Sequence, residues 1–330
     1  MLDLARRGLL GLSLAAGCAT LPVAPAAAQT FPSRPVTMIV PFAPGGPSDT
    51  VARLLAAPMA ADLGQPVVVE NVPGAGSTIG QGRLVAARPD GQTVMLGGIG
   101  QSTIPTLYRG LSFDPVGGMD VVGLVNEVPM TIVARRNFPA ATLAEFVTLA
   151  RRERERLNFG NAGVGSTSHL CGLLLMSALA APMTQVPYRG SGPVMTDLVA
   201  GTLDVACDQT TNTTEQIRAG SVRAFAVTTT ARIAPLPDLP TTTEGGLAEM
   251  QMSGWNMVFA PAGVPAQVIE RLNRALLAAL RDEAVIRRFA ELGTAPVAAD
   301  RATPEAGRAF WRAEIAKWRP LIQAAGQFAD

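Results

Sequence analysis

Apolar runs rich in Val and Ile alternate along this chain with longer stretches of helical periodicity, and glycine-rich segments mark several of the joins. The strand-like runs are Val36–Val40, Val67–Glu70, Thr93–Leu96, Val121–Val125, Thr131–Ala134, Val205–Asp208, Ala224–Val227 and Asn256–Ala260. Helical patterns cover Asp49–Leu63, Thr78–Ala87, Leu143–Arg154, His169–Leu179, Val194–Ala200 and Ala266–Leu280. Such alternation predicts an α/β fold with mainly parallel sheets flanked by helices. Thr142 and Glu145 form a capping box at one helix start. Thr303, Pro304 and Glu305 open a last long helix through Trp311 and Trp318, which Gly326 is placed to end. A chain of 330 residues suffices for about two domains. No tandem repeat or low-complexity linker separates them, so interleaved domains are expected.

Residues 1–28 read as an export signal outside the fold. Arg6 and Arg7 give a positive start, Leu9 to Ala16 is apolar, and small residues lead to Ala26-Ala27-Ala28, a cleavage pattern before Gln29. The apolar stretch is far shorter than the roughly 20 residues of a membrane span. The twin Arg6-Arg7 leaves the twin-arginine route open. Gly17-Cys18 leaves a lipoprotein anchor open as a minor alternative, although Ala15 stands where Leu is usual. The mature protein is expected in the periplasm, where Cys171 and Cys207 could pair as a disulfide. The alternative favoured at this point is two separate buried thiols, because sequence cannot place their Cβ atoms within bonding distance.

Charge and composition exclude several functions. Lys and Arg total 27 against 26 Asp and Glu, so no basic excess points to a nucleic-acid backbone. One His and three Cys leave too few ligands for most His/Cys metal sites. Lys317 is the sole lysine and lies in a helical pattern near the C-terminus. No metal or organic cofactor is expected.

Four glycine- and hydroxyl-rich loops are read between a strand and a helix. They are Pro41–Asp49, Asn71–Ser77, Gly97–Ser102 and Gly160–His169. Glycine lets backbone approach a ligand closely, and a following helix presents unpaired N–H groups with partial positive charge. Together these make an anion site that needs no arginine. Ser166, Thr167 and Ser168 add hydroxyl donors at the fourth loop. In open α/β sheets the ligand crevice lies at the carboxyl ends of strands, where these loops fall. Neither a P-loop nor a dinucleotide fingerprint is present.

A hydrolase is the competing class, with His169 as base and Ser166, Ser168 and Asp208 as partners. Ser166 to His169 fall within one helical turn, whereas nucleophile and base usually converge from separate segments. No G-x-S-x-G elbow occurs. No catalytic residue is therefore assigned.

At these loops the sequence resembles the Bug receptors, the solute-binding proteins of tripartite tricarboxylate transporters. The resemblance runs from about residue 30 to the C-terminus. It rests on Phe31-Pro32-Ser33-Arg34-Pro35, Val40-Pro41-Phe42, Pro44-Gly45-Gly46 with Asp49, and Gly64 to Asn71 with Pro73-Gly74-Ala75-Gly76. Val186 to Ser191, Ala200-Gly201 with Asp204, Pro237 to Thr241 with Glu244, Trp255 and Ala260 to Gly263 complete it. The resemblance implies a type II periplasmic-binding-protein fold with a ligand cleft between two lobes. Lobe one would comprise 30–130 plus 250–330 and lobe two 131–249, with crossings near Met130–Val133 and Ser253–Val258. It implies a monomeric receptor that holds a small carboxylate and hands it to membrane transporter subunits, with a sensor kinase as the alternative partner. Carried over by position, ligand contacts would come from Phe42, Ala43, Gly46, Ser77 and Ser102 in lobe one. Lobe two would supply Gly165, Ser166, Thr167, Gly190, Ser191 and Asp208. Asp49 and His169 would support the site rather than touch ligand. Gly100, Gln101 and Ile104 replace the usual third-loop Thr, His and Asn, and Pro47 replaces a usual Gly, which leaves the identity of the acid open.

Overall fold

The Val- and Ile-rich runs are strands in this computed structural model, which describes residues 31–325 and 329. The chain begins with β1 (Val36–Val40), α1 (Pro47–Leu63), β2 (Val67–Asn71), α2 (Thr78–Val85), β3 (Thr93–Gly98) and α3 (Gly100–Leu107). The long strand β4 (Met119–Arg135) leads into α4 (Leu143–Glu153), β5 (Asn158–Asn161), α5 (Thr167–Leu179), β6 (Thr184–Pro187) and α6 (Ser191–Ala200). Then come β7 (Val205–Gln209), α7 (Thr210–Arg218) and β8 (Val222–Val227). The return strand β9 (Ser253–Pro261) precedes α8 (Ala266–Arg281), α9 (Glu283–Glu291), β10 (Ala295–Pro296) and α10 (Pro304–Ala325).

The sheet order is β2-β1-β3-β9-β4-β7-β5-β6, with β8 and β10 also paired to β4. Parallel pairing holds on the two flanks, where β1 joins β2 and β3, and β5 joins β6 and β7. In the middle, β4 and β9 run antiparallel to every neighbour. The sheet is thus mixed at its centre, because β4 and β9 traverse it in opposite directions.

Two sequence expectations change here. Val121–Val125 and Thr131–Ala134 are not separate strands but parts of the 17-residue β4. Pro129 between them lacks an N–H, yet it sits where β4 changes partners. Pairing with β9 ends at Pro129 opposite Ser253, and pairing with β7 starts at Met130. The third glycine loop also dissolves: Gly97 and Gly98 belong to β3, and α3 starts at Gly100. A Cβ on Gly98 would stand 2.7 Å from the Trp255 carbonyl oxygen, so the glycine admits close pairing with β9 rather than making a turn.

A third change concerns the cysteines. Cys171 in α5 and Cys207 in β7 form a disulfide, with Cα atoms 5.9 Å apart, in place of the two separate thiols favoured from sequence. Both are fully buried where α5 lies on β7, a proximity that a separation of 36 residues cannot reveal.

Other local signals hold. Thr142 accepts the Glu145 N–H at 3.2 Å, while the Glu145 carboxylate takes the N–H of Ala141 at 2.6 Å. Thr303 caps α10 by accepting from Ala306 N–H. That helix fastens the site from behind. Trp311 donates to the Gln101 carbonyl, and Glu314 accepts from both Trp255 and Trp318. No helix among the described residues is long and apolar enough to cross a membrane. The export segment 1–28 and Gly326 lie outside the described residues.

Candidate functional site

A narrow cavity opens where the carboxyl ends of β1, β3, β5 and β7 meet the starts of α1, α5 and α6. Phe42 and Gly46 to Asp49 line one side, Gly98 to Gly100 and Trp255 the back, and Ala162, Ser166 to Ser168, Ser191, Asp208 and Gln209 the other side. Among the described residues no Lys or Arg lines it. The donors the lining offers an anion are backbone N–H groups, hydroxyls and the Gln209 carboxamide N–H.

The start of α1 is internally braced. Gly45 turns the chain at φ 81°, and Pro47 fills the first helical position, where it removes one N–H from the helix end. Asp49 then accepts from Gly45 N–H at 3.0 Å, Arg53 Nε at 3.1 Å and Asn71 Nδ2 at 3.0 Å. Burial pushes the Asp49 carboxyl up, but the bonds from Arg53, Gly45 and Asn71 outweigh it and hold the pKa below the usual value. Asn71 also donates to the Phe42 carbonyl, so the second glycine loop supports the first without reaching the cavity.

The start of α5 is arranged differently. Gly165 lies at φ 83°, and a Cβ there would stand 2.7 Å from Leu107 Cδ2. Ser166 caps the helix by accepting the His169 N–H, and Ser168 accepts from Ala162 N–H at 2.8 Å. The Ser166 and Ser168 hydroxyl oxygens are 3.2 Å apart. The N–H groups of Thr167 and Ser168 open the helix, ahead of its i→i−4 ladder. No acidic residue occupies the first turn.

His169 accepts the Gly165 N–H on Nδ1 at 3.3 Å, and burial pushes its pKa down to about 4. The ring is therefore neutral at physiological pH and props the loop. Among the described residues no carboxylate bonds to it. Asp208 instead accepts from Ser191 Oγ at 3.0 Å and Asn212 Nδ2 at 2.6 Å. Burial pushes the Asp208 carboxyl up to about 6, against the lowering effect of Asn212, the Gln209 N–H and Ser191. A base without an orienting acid and a carboxylate turned elsewhere do not make a hydrolytic triad.

Of the residues marked from sequence, the structure gathers Phe42, Gly46, Ser166, Thr167, Ser191 and Asp208 on the cavity, with Asp49 beside them. Five stand back from it. Ala43 gives its N–H to the Arg189 carbonyl at 2.9 Å. Gly190 lets that contact form, since a Cβ there would come within 2.8 Å of Ala43 N. Gly165 spends its N–H on His169, and Ser77 accepts from Gln101 Nε2. Ser102 is wholly buried away from the cavity. Gln101 bridges Ser77 and the Gly98 N–H, and Ile104 is core, so these two third-loop departures stiffen the wall without lining it. Sequence reasoning missed Ser48, Ile99, Gln209 and Trp255 as lining residues. Gln209 follows Asp208 at a strand end, and that position was the available signal.

Residues 51–327 match the family described as the tripartite tricarboxylate transporter family receptor. A UPF0065 protein in the TAR-I ttuE-ttuC' intergenic region of Agrobacterium vitis is 49% identical over 307 residues, covering 93% of this chain and 89% of that one. The solved periplasmic binding protein BugD is 42% identical, with a TM-score of 0.88 over 91% of this chain and 100% of its own. MatC from Rhodopseudomonas palustris, solved with bound malate, is 38% identical, with a TM-score of 0.85 over 88% of this chain and 100% of its own. The chain accordingly belongs to the tripartite tricarboxylate transporter receptor family, the Bug receptors, and has their periplasmic-binding-protein fold.

Proposed function

We propose that this receptor captures a small organic carboxylate in the cavity and delivers it, as a periplasmic monomer, to the membrane subunits of a tripartite tricarboxylate-type transporter. The observation that carries the reading is the start of α5. There three hydroxyl side chains and two helix-opening N–H groups meet in a cavity without a basic side chain. Such a helix end attracts an anion through oriented dipoles and N–H donors. The carboxylate would accept from Thr167 and Ser168 N–H and from the Ser166 and Thr167 hydroxyls. Malate in the similar MatC is an acid of this class.

Residues 30–130 with 250–330 would form one lobe and 131–249 the other. The partner exchange of β4 at Pro129–Met130 supports that division. Direct bonds between residues of the two proposed lobes are those a closed arrangement would make. Around the cavity they include Ala43 N–H to the Arg189 carbonyl, Thr103 Oγ1 to the Gly165 carbonyl at 2.9 Å, and Tyr108 to the Val164 carbonyl at 3.3 Å. Closing would exclude water and strengthen each polar contact to the carboxylate.

A thermal-shift screen of the purified protein against mono-, di- and tricarboxylates, aromatic acids, acidic amino acids and a matched set of neutral compounds tests the reading. An acid at 100 times its Kd stabilises by about 2.7 kcal/mol, enough to raise the midpoint by several degrees. A rise confined to neutral compounds would contradict it.

A further inference from the structure

Gln209 closes β7, lines the cavity and is only 4% exposed, yet its Oε1 has no hydrogen-bond partner among the described residues. Other buried oxygens lack partners too, including Ser102, Thr210 and Thr211, but none of those residues lines the cavity. The Gln209 carboxamide is closely confined. A Cβ on Gly254 of β9 would stand 2.9 Å from Gln209 Nε2 and 3.1 Å from Thr167 Cγ2, so both side chains pack against the same glycine. The Gln209 carboxamide therefore adjoins the start of α5, where donors gather.

The two walls differ in kind. The α5 wall offers N–H and O–H donors, whereas Asp208 and Gln209 on β7 offer oxygen acceptors. A carboxylate is acceptor-only: it satisfies the first wall and leaves Gln209 Oε1 unpaired. A buried acceptor without a partner penalises the complex in which it stays unpaired, which is how a polar site rejects an analogue lacking one hydroxyl. We infer that Gln209 is a specificity-determining residue that selects acids carrying an O–H or N–H donor on the carbon chain beside the carboxylate, that is, hydroxy or amino acids over their unsubstituted parents. This inference rests on the reading that the cavity captures carboxylates.

The test is titration calorimetry of the full chain with two matched sets, propionate, lactate and alanine, then succinate, malate and aspartate. In the set that binds, the substituted acid is expected to bind about tenfold or more tightly than its parent. The hydroxy and amino members distinguish an O–H from an N–H donor. Gln209→Met removes the acceptor at similar size and should bring the substituted acid to its parent's affinity, with the parent itself changed less than about threefold. Gln209→Glu keeps acceptor oxygens and should retain the preference. A parent that binds wild-type protein as tightly as its substituted partners overturns the inference and leaves carboxylate capture standing; a preference that survives in Gln209→Met overturns it too. Failure of every acid in both sets would overturn the inference for these acids, while carboxylate capture itself is decided by the wider screen with tricarboxylates and aromatic acids. Should Gln209→Met not fold, the wild-type comparison alone decides.

Discussion

The starts of α1 and α5 face the same cavity and solve the same electrostatic problem in opposite ways. At α1 the chain supplies its own anion: Asp49 takes the Gly45 N–H, Pro47 removes a donor, and Arg53 balances the carboxylate. At α5 no side chain of the first turn is acidic, and hydroxyls line the opening. What anchors that second helix is covalent and lies one turn further in, where Cys171 is joined to Cys207 of β7, next to Asp208. A helix end neutralised from within is a scaffold. One that is anchored but left without a counter-charge is a site.

The largest expected effect comes from removing that anchor. Replacing Cys171 and Cys207 by Ala releases a loop spanning 36 residues of separation, worth about 3–4 kcal/mol on the chain-entropy account. The thermal midpoint should fall by several degrees and acid binding should weaken. An unchanged midpoint would mean that packing alone holds α5.

The two cavity carboxylates titrate in opposite senses and sharpen the contrast. The Asp208 pKa is raised to about 6, so the folded state holds its proton more tightly than the unfolded chain. Its contribution is present below the ordinary carboxylate pKa and is lost as pH rises from about 4 through about 6, a difference of about 2–3 kcal/mol. Asp49, held low, contributes stability above its ordinary pKa and loses it as pH falls. Midpoints of wild type and Asp208→Asn across pH 4–7 should diverge in that window, and parallel curves would contradict the burial argument.

Next in size is the anion cradle. Ser166→Ala with Thr167→Ala should weaken acid binding by about 1–3 kcal/mol. The lost cap itself costs about 1 kcal/mol of stability, so Thr142→Ala, a cap lost on α4 away from the cavity, is the control that should leave affinity unchanged. Smallest for binding is Asp49→Asn. Its effect on acid affinity should be nil, because Asp49 braces α1 without holding the ligand, although the carboxamide N–H would face the Gly45, Arg53 and Asn71 donors and cost about 1–3 kcal/mol of stability. A tenfold loss of affinity there would erase the distinction between the two helix ends.

Much of this arrangement was legible in the residues. Val36–Val40 is the observed strand, and the hydroxyl run Ser166 to Ser168 falls at the start of α5. The misses share a cause: they depend on what lies across space rather than along the chain. Gly97 and Gly98 look like a loop until β9 packs against them. β4 runs through Pro129 because its partners change there. Cys171 and Cys207 are brought within reach only by α5 lying on β7. Gln209 looks like a strand terminus, and its unpaired Oε1 shows only once the cavity exists.

A crystal structure with the tightest-binding acid tests the central claim most directly. The account predicts a carboxylate at the start of α5, its oxygens within about 3.2 Å of the Thr167 or Ser168 N–H and the Ser166 or Thr167 hydroxyl. A carboxylate bound instead at Ser48 and Asp49 N–H, with the α5 donors left to water, would contradict it.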